Sequence, residues 1–266
     1  MNKKELLDRC AQDGEERMLL ARVLDKLELA QGRDVPTHTP FLSPAQQAAV
    51  TGLLNAWGRP RHLFWGGCPD RERQVCFFLA GWQEEETIRS DPEGPLAAVQ
   101  VRFPKEAKLT HRDILGSFMG LGVTREVLGD ILLPQPDLCQ AVVVREALPI
   151  LLSQWEGAGR YKAGLSEIPL SQLTPQPPQI KTIRDTVATP RLDAVTACAF
   201  SLSRSRAAAL ISSGRVSLNH RECLKADRQV AQGDTLTCRG LGKCVVKEVP
   251  GQSKKGRTML ILERYL

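Results

Sequence analysis

RLDAVTACAFSLSRSRAAALISSGRVSLNHRECLKADRQVAQGDTLTCRGLGKCVVKEV, residues 191–249, is the stretch whose reading decides the fold. The pattern predicts one short helix from Arg191 to Phe200. Ser203 is a good N-cap for a second, Arg204 to Ser213, because its hydroxyl can accept from a first-turn backbone N–H. Gly214 ends that helix at the left-handed position. "VSLN" then reads as a strand, Gly233-Asp234 as a turn, and "TLTCRG" and "KCVVKEV" as further strands. The cations fall at helix entries and exits. Arg191 opens the first helix. Arg204 lies in the first turn of the second, where free N–H groups and the helix dipole favour a phosphate. Arg206 is two residues on, and Arg215 follows the helix. Two short helices against a curled sheet gather these groups on one face, matched to a nucleic-acid backbone.

The charge distribution agrees. Residues 181–266 hold 16 Lys+Arg against 7 Asp+Glu, a net +9, whereas residues 1–180 hold 20 against 23. A basic third on a near-neutral body is the footprint of a polyanion-binding module. A solvated lysine-rich surface is the plain alternative, but 10 of the 16 cations are arginine, the residue suited to bidentate phosphate contacts.

The stretch resembles the RNA-binding domain named after small-subunit ribosomal protein four, the S-four domain. Arg191, Leu192 and Asp193 match its start; Ser203, Arg204 and Ala207 match its second helix. Gly214, Val216 and Asn219 match the strand entry, and Val230, Gly233 and Asp234 the late turn. Two positions depart: His220 stands where a Gly commonly follows the Asn, and Ala208 replaces an arginine common in the ribosomal version.

Working outward, "PLSQLTPQPPQIKTIRDTVATP" (residues 169–190) carries five prolines and reads as an extended connection. Before it, apolar runs in "HLFWGG" and "QVCFFLA" suggest a hairpin, and "LAAVQVRF" a third strand. "QAVVVRE" and "KAGLSEIPL" read as later strands, with "ALPILLSQWEG" an amphipathic helix between them. Alternation over about 120 residues suggests an RRM-like or ferredoxin-like sandwich without the aromatic RNP signature. Residues 3–31 read as one amphipathic helix and "GRDVPTHTPFLSP" as a loop. Ser43 then caps a helix through about Trp57, with Pro44 at its first position. The expected class is therefore α+β: a helical N-terminal unit (1–60), an RRM/ferredoxin-like central α+β domain (61–180) and a C-terminal S-four domain with its αL-type motif (181–266).

"LTHRDILGSFMGLGVTREVLGDI" (residues 109–131) contains His111-Arg112-Asp113, the heart of a kinase catalytic loop. The Asn that loop needs five positions after its Asp is Phe118 here, and the chain has no Asp-Phe-Gly or Gly-rich phosphate loop. Thr110 instead caps a helix to about Met119, with Asp113 at its third position. Thr124 is expected to cap a second short helix containing Gly129. The eight cysteines show no C-x-x-C pair and no zinc spacing, and read as reduced, mostly buried thiols. No apolar run approaches a bilayer span and no signal peptide opens the chain. A cytoplasmic protein without metal or cofactor is expected.

Residues 109–131, the S-four match and the late "SKKGR" together resemble the YlmH-type family of bacterial S-four proteins over nearly the whole chain. The resemblance implies RNA binding on the ribosome, in quality control of stalled large subunits. A cell-division role and a photosystem II-named branch also attach to that family. The expected partners are structured RNA (rRNA or tRNA) and the large ribosomal subunit, with no membrane and a monomeric chain. The expected RNA-binding residues are Arg191, Ser203, Arg204, Arg206, Arg215, Asn219, Arg221, Lys225, Arg228, Lys243, Lys254, Lys255 and Arg257. The rival is an RNA-modifying enzyme of pseudouridine-synthase type, since those enzymes carry a catalytic Arg-Leu-Asp. Here the single Arg191-Leu192-Asp193 sits inside the S-four match. With no G-x-S-x-G and four scattered histidines, hydrolase chemistry has no support either, and no catalytic residue is expected.

Overall fold

The computed structural model describes residues 2–175, 177–253 and 256–265. The chain divides into two compact units, Met1–Gln176 and Pro177–Leu266.

The first unit opens with α1 (Lys3–Cys10), α2 (Gly14–Arg33), β1 (Thr37–Leu42) and α3 (Pro44–Trp57). The helix expected over 3–31 is two helices. Asp13 breaks it by capping α2, its carboxylate accepting from the Glu16 N–H at 2.8 Å. Ser43 and Gln46 form the capping box of α3. The expected loop at 32–44 contains β1, which joins β2 (His62–Trp65) and β3 (Gln74–Phe78) in a sheet of order β1-β3-β2. Leu20, Val23, Leu24 and Leu27 of α2 bury against Val50, Leu53 and Leu54 of α3 and Phe78 of this sheet. The N-terminal helices thus share a core with strands up to residue 78.

After α4 (Glu85–Ser90) come β4 (Leu96–Arg102), α5 (His111–Met119), β5 (Leu128–Gln135), β6 (Leu138–Val144) and α6 (Leu148–Gln154). The two-residue strands β7 (Gly157–Ala158) and β8 (Tyr161–Lys162) precede β9 (Leu165–Ile168). Disregarding the small β7–β8 hairpin, β4 to β9 follow a βαββαβ path with order β5-β6-β4-β9, all neighbours antiparallel. This is the ferredoxin-like arrangement. The helix expected after Thr124 is only a 3-10 turn, Arg125–Val127, and Gly129 lies in β5. A Cβ at Gly129 would sit 2.8 Å from the Phe41 ring, so the strand passes closer to β1 than any side chain permits.

Both faces of this sheet are covered, and every residue of β6 is buried. Ile114 and Phe118 of α5 and Leu148 and Leu151 of α6 belong to the same core as β6. So do Phe41, Leu63, Cys68, Val75 and Phe77 of the N-terminal sheet. Gly67 comes so near Val142 that a Cβ there would lie 2.9 Å from it. Gln140 on the same side of β6 donates to Gln100 Oε1 (3.2 Å) and the Gln172 carbonyl (3.0 Å), and accepts from the Thr174 N–H (2.8 Å). Arg73 sews the two sheets together. Its guanidinium donates to the carbonyls of Leu128 (2.9 Å), Phe41 (3.1 Å) and Arg125 (2.9 Å). Burial, then the Arg125 charge, lower its pKa to about 10, which leaves it protonated at neutral pH.

The second unit holds β10 (Ile180–Val187), α7 (Leu192–Phe200), α8 (Arg204–Ser212), β11 (Val216–Leu218), β12 (Arg221–Glu222), β13 (Thr235–Cys238), β14 (Gly242–Gln252) and β15 (Thr258–Tyr265). They form an antiparallel sheet of order β10-β15-β14-β13-β11-β12. The proline-rich connection is therefore shorter than expected, because IKTIRDTV pairs along its whole length with β15, from Ile180 opposite Tyr265 to Val187 opposite Thr258. Leu192, Val195 and Ala199 of α7 and Ile211 of α8 pack on Val216, Leu236, Val246 and Leu262. All eight cysteines are free thiols; burial pushes Cys76 and Cys139 up to about 12, so they are inert at neutral pH.

Candidate nucleic-acid interface

The two helices of the second unit begin differently. Arg191 stands at the N-cap of α7 but its side chain does not cap. The N–H groups of Leu192 and Asp193 donate instead to the carbonyls of Arg228 (2.8 Å) and Ala226 (2.9 Å). The loop carrying Lys225 and Arg228 is thereby pinned to the start of α7. In α8, Ser203 Oγ accepts from the Arg206 N–H at 3.3 Å. The N–H groups of Arg204 and Ser205 have no acceptor among the described residues, so the positive end of this helix stays open.

Asp193 joins these starts. Its side chain is 7% exposed and takes two guanidinium groups. Arg191 donates Nε to Oδ1 at 3.3 Å and Nη2 to Oδ2 at 3.2 Å. Arg204 donates Nε to Oδ2 at 3.1 Å and Nη2 to Oδ1 at 3.5 Å. Burial pushes the Asp193 carboxyl up, but Arg204, Arg191 and the Ala194 N–H outweigh it and hold the pKa below the usual carboxylate range. One carboxylate against two guanidiniums leaves a net positive charge. Each arginine has five N–H donors and uses two here, so the remainder is available to an incoming anion. The Arg204 side chain is 57% exposed despite its ion pair.

The expectation that four arginines gather on one face needs correction. Arg191 and Arg204 are ion-paired, and they share a neighbourhood with Lys225 and Arg228 through the capping loop. Arg206, exposed and without a side-chain partner among the described residues, lies about 200° around α8 from Arg204. Arg215 sits at the helix exit, its Nη2 donating to the Arg239 carbonyl at 3.0 Å while its own carbonyl accepts from the Arg239 N–H. Two expected contacts have structural jobs. Ser203 is the N-cap. Asn219 donates to Asp234 Oδ1 (2.8 Å) and accepts from the Thr235 N–H (2.9 Å), which ties the β11–β12 hairpin to the β13 entry. Arg221 stands in that hairpin. Lys243 lies 4.6 Å from the Tyr265 ring centroid. Arg257 is held on β10 by Thr186, through Oγ1 at 3.0 Å and the carbonyl at 2.6 Å. Lys254 and Lys255 fall outside the described residues. Sequence reasoning missed Arg239 and the clamp itself; the Arg-Leu-Asp triplet was its visible trace.

In the first unit, Asp113 accepts from the Thr110 N–H (2.8 Å) and hydroxyl (2.6 Å), completing the expected capping box. Among the described residues no group of three His, Cys, Asp or Glu side chains could hold a metal ion, and no helix is long and apolar enough to cross a membrane.

A ferredoxin-like domain behind a three-stranded sheet, followed by a basic unit with two clamped helix starts, defines an α+β protein of two units. A family model described as "Putative RNA-binding domain in YlmH" matches residues 93–172. The chain is 30% identical over 254 residues to the "Ribosome-associated protein quality control protein P2" of Bacillus subtilis (strain 168), covering 94% of this chain and 95% of that one. A solved structure, "Cell division protein ylmH from Streptococcus pneumoniae", shares the fold with a TM-score of 0.51 at 18% identity, over 61% of this chain and 96% of that one. The chain belongs to the YlmH family.

Proposed function

We propose that this protein binds structured RNA on the ribosome, rRNA or tRNA of the large subunit, and serves in quality control of stalled nascent chains. Its second unit acts as an S-four module. The protein works as a cytoplasmic monomer and as a binder, with no catalytic residue. One observation carries this reading: Asp193 fixes Arg191 and Arg204 at two helix starts while leaving most of their donors outward, in a segment of net charge +9. An anion arriving there meets fixed guanidinium forks and the open first turn of α8 together. The name of the Bacillus subtilis relative supports the ribosomal setting. The lowered pKa of Asp193 argues against a general base, because its proton affinity is already reduced by the two arginines.

The test is binding of a labelled rRNA hairpin by the full chain across a salt series. Arg204→Ala is expected to weaken binding several-fold and to lower the slope of log affinity against log salt by roughly 0.9, the value of one phosphate contact. Sedimentation of cell lysate at low salt should place the native chain with large subunits. A chain that stays at the top of the gradient contradicts the ribosomal assignment, and an RNA modification lost from a deletion strain contradicts the non-enzymatic one.

A further inference from the structure

An RRM-like domain ordinarily presents bases to the open face of its sheet. Here that face does not exist, because α5 and α6 share the core on one side while Gly67, Phe41, Gln172 and Thr174 close the other. What remains exposed is the rim. At one end of the sheet three segments converge: the β4–α5 connection, the β5–β6 turn and the β7–β8 hairpin. Arg102 pairs with Leu138, Val101 pairs with Leu165, and the Phe103 N–H donates to the Asp137 carbonyl at 3.1 Å. A Cβ on Gly159 would lie 3.9 Å from Leu109, so the hairpin touches the loop that leads into α5.

This end is basic where the rest of the first unit is acidic. Residues 102–113, 137 and 156–162 carry six cations against four acids, and the remainder of 1–176 carries 14 against 19. Asp113, one of the four acids, is already engaged by Thr110. Arg102, Lys105, Lys108, Arg112 and Lys162 are exposed, and none makes a side-chain hydrogen bond or ion pair among the described residues. Arg160 donates to Tyr161 Oη at 3.0 Å and lies 5.1 Å from that ring's centroid, a guanidinium–aromatic platform of the kind that stacks on bases.

We propose that this end of the ferredoxin-like domain is a second RNA-binding surface, gripping backbone phosphates with Arg102, Lys105, Lys108, Arg112 and Lys162 beside the Arg160–Tyr161 platform. The proposal rests on the RNA-binding reading above and on the family model that describes residues 93–172 as "Putative RNA-binding domain in YlmH"; what it adds is the surface of that domain and the residues that grip the RNA. It favours RNA over an anionic membrane because none of the exposed large apolar side chains lies in these segments, so nothing there would insert into lipid.

The experiment uses the full chain, an RNA duplex of about 20 base pairs and a single strand of equal length. Lys105→Glu/Lys108→Glu/Arg112→Glu is expected to weaken duplex binding at least tenfold and to lower the salt slope by roughly 2–3. Arg204→Ala should lower both independently, and the combined variant should show the two losses added. The milder Lys105→Gln/Lys108→Gln/Arg112→Gln, whose melting temperature should match the native chain, must move the same way. Unchanged affinity and slope in both triple variants, beside a loss in Arg204→Ala, overturns this surface and leaves the C-terminal one standing. No loss in any variant overturns both. Phosphatidylserine vesicle binding that disappears in the triple variants while RNA binding persists also overturns it, in favour of lipid.

Discussion

Arg73 and Arg125 in the first unit, and Arg191 and Arg204 in the second, put the same side chain to opposite uses. Arg73 and Arg125 turn inward onto backbone carbonyls around the start of β5: Leu128, Phe41 and Arg125 for Arg73, Leu128 and Gly129 for Arg125. Carbonyls carry only partial charge, so these guanidiniums hold the fold together and offer little to a ligand. Arg191 and Arg204 face a single full carboxylate near the surface, which fixes their planes while leaving donors outward. Arginine count alone therefore says little about binding. The binding role proposed for Arg191 and Arg204 rests on a partner that restrains each guanidinium fork without using up its five donors.

The sharpest way to break this contrast is Arg73→Ala. It leaves the carbonyls of Phe41, Leu128 and Arg125 short of a donor between two packed sheets. The expected loss is about 3 kcal/mol of unfolding free energy, read by denaturant melts. The salt slope of RNA binding should stay at the native value for the fraction that remains folded. A variant as stable as the native chain would show that the guanidinium does not join the sheets.

Asp193→Asn comes next. Removing the carboxylate leaves two partly buried guanidiniums without a counter-ion, at an expected cost of about 1–3 kcal/mol, discounted because both arginines remain partly in water. The pH dependence has a definite sign. The folded pKa of Asp193 is depressed, so its contribution is present above the ordinary carboxylate value of about 4 and lost as pH falls through the lower folded value. The variant should therefore show a flatter acid arm and a uniform deficit at neutral pH. RNA binding should weaken several-fold although the net charge has become more positive. If affinity rises instead, charge alone governs the surface and positioning is irrelevant.

These two sites also show what could be read from sequence. The caps at Ser43, Thr110 and Ser203 were legible because a cap is a contact over three residues. Strand β10 was not, since its polar residues and the prolines on either side of it (Pro177, Pro178 and Pro190) resemble a linker until β15, nearly eighty residues later, supplies the pairing. β1 was hidden in the same way by Pro36 and Pro40. The unbroken apolar run of "QAVVVRE" does fit a strand buried on both faces, but nothing local to it says that the N-terminal sheet supplies the second layer. For the candidate site, the arginines at helix starts were legible as residue types. Their restraint was not: it depends on Asp193 meeting Arg204 eleven residues away, and on a loop after residue 223 that caps α7 with carbonyls.

The smallest predicted effect tests the one position where this chain departs from the pattern at the hairpin. Asn219 and His220 have φ of 51° and 65°, and Leu218 pairs with Arg221, so the two-residue turn keeps both central residues left-handed. Such turns favour Asn-Gly, because the second residue clashes through its Cβ unless it has none. Asn219 manages with its side-chain bonds to Asp234 and Thr235. His220 takes the same conformation at a cost of about 1–2 kcal/mol. His220→Gly relieves that strain but gains flexibility in the unfolded chain, so the net stabilisation should be about 0.5–1 kcal/mol, a rise of a few degrees in melting temperature. The Arg191–Asp193–Arg204 clamp is untouched by this change, and RNA affinity should stay within twofold. A fall in affinity with higher stability would place the imidazole on the RNA, and the interface would then reach from the helix starts to this hairpin.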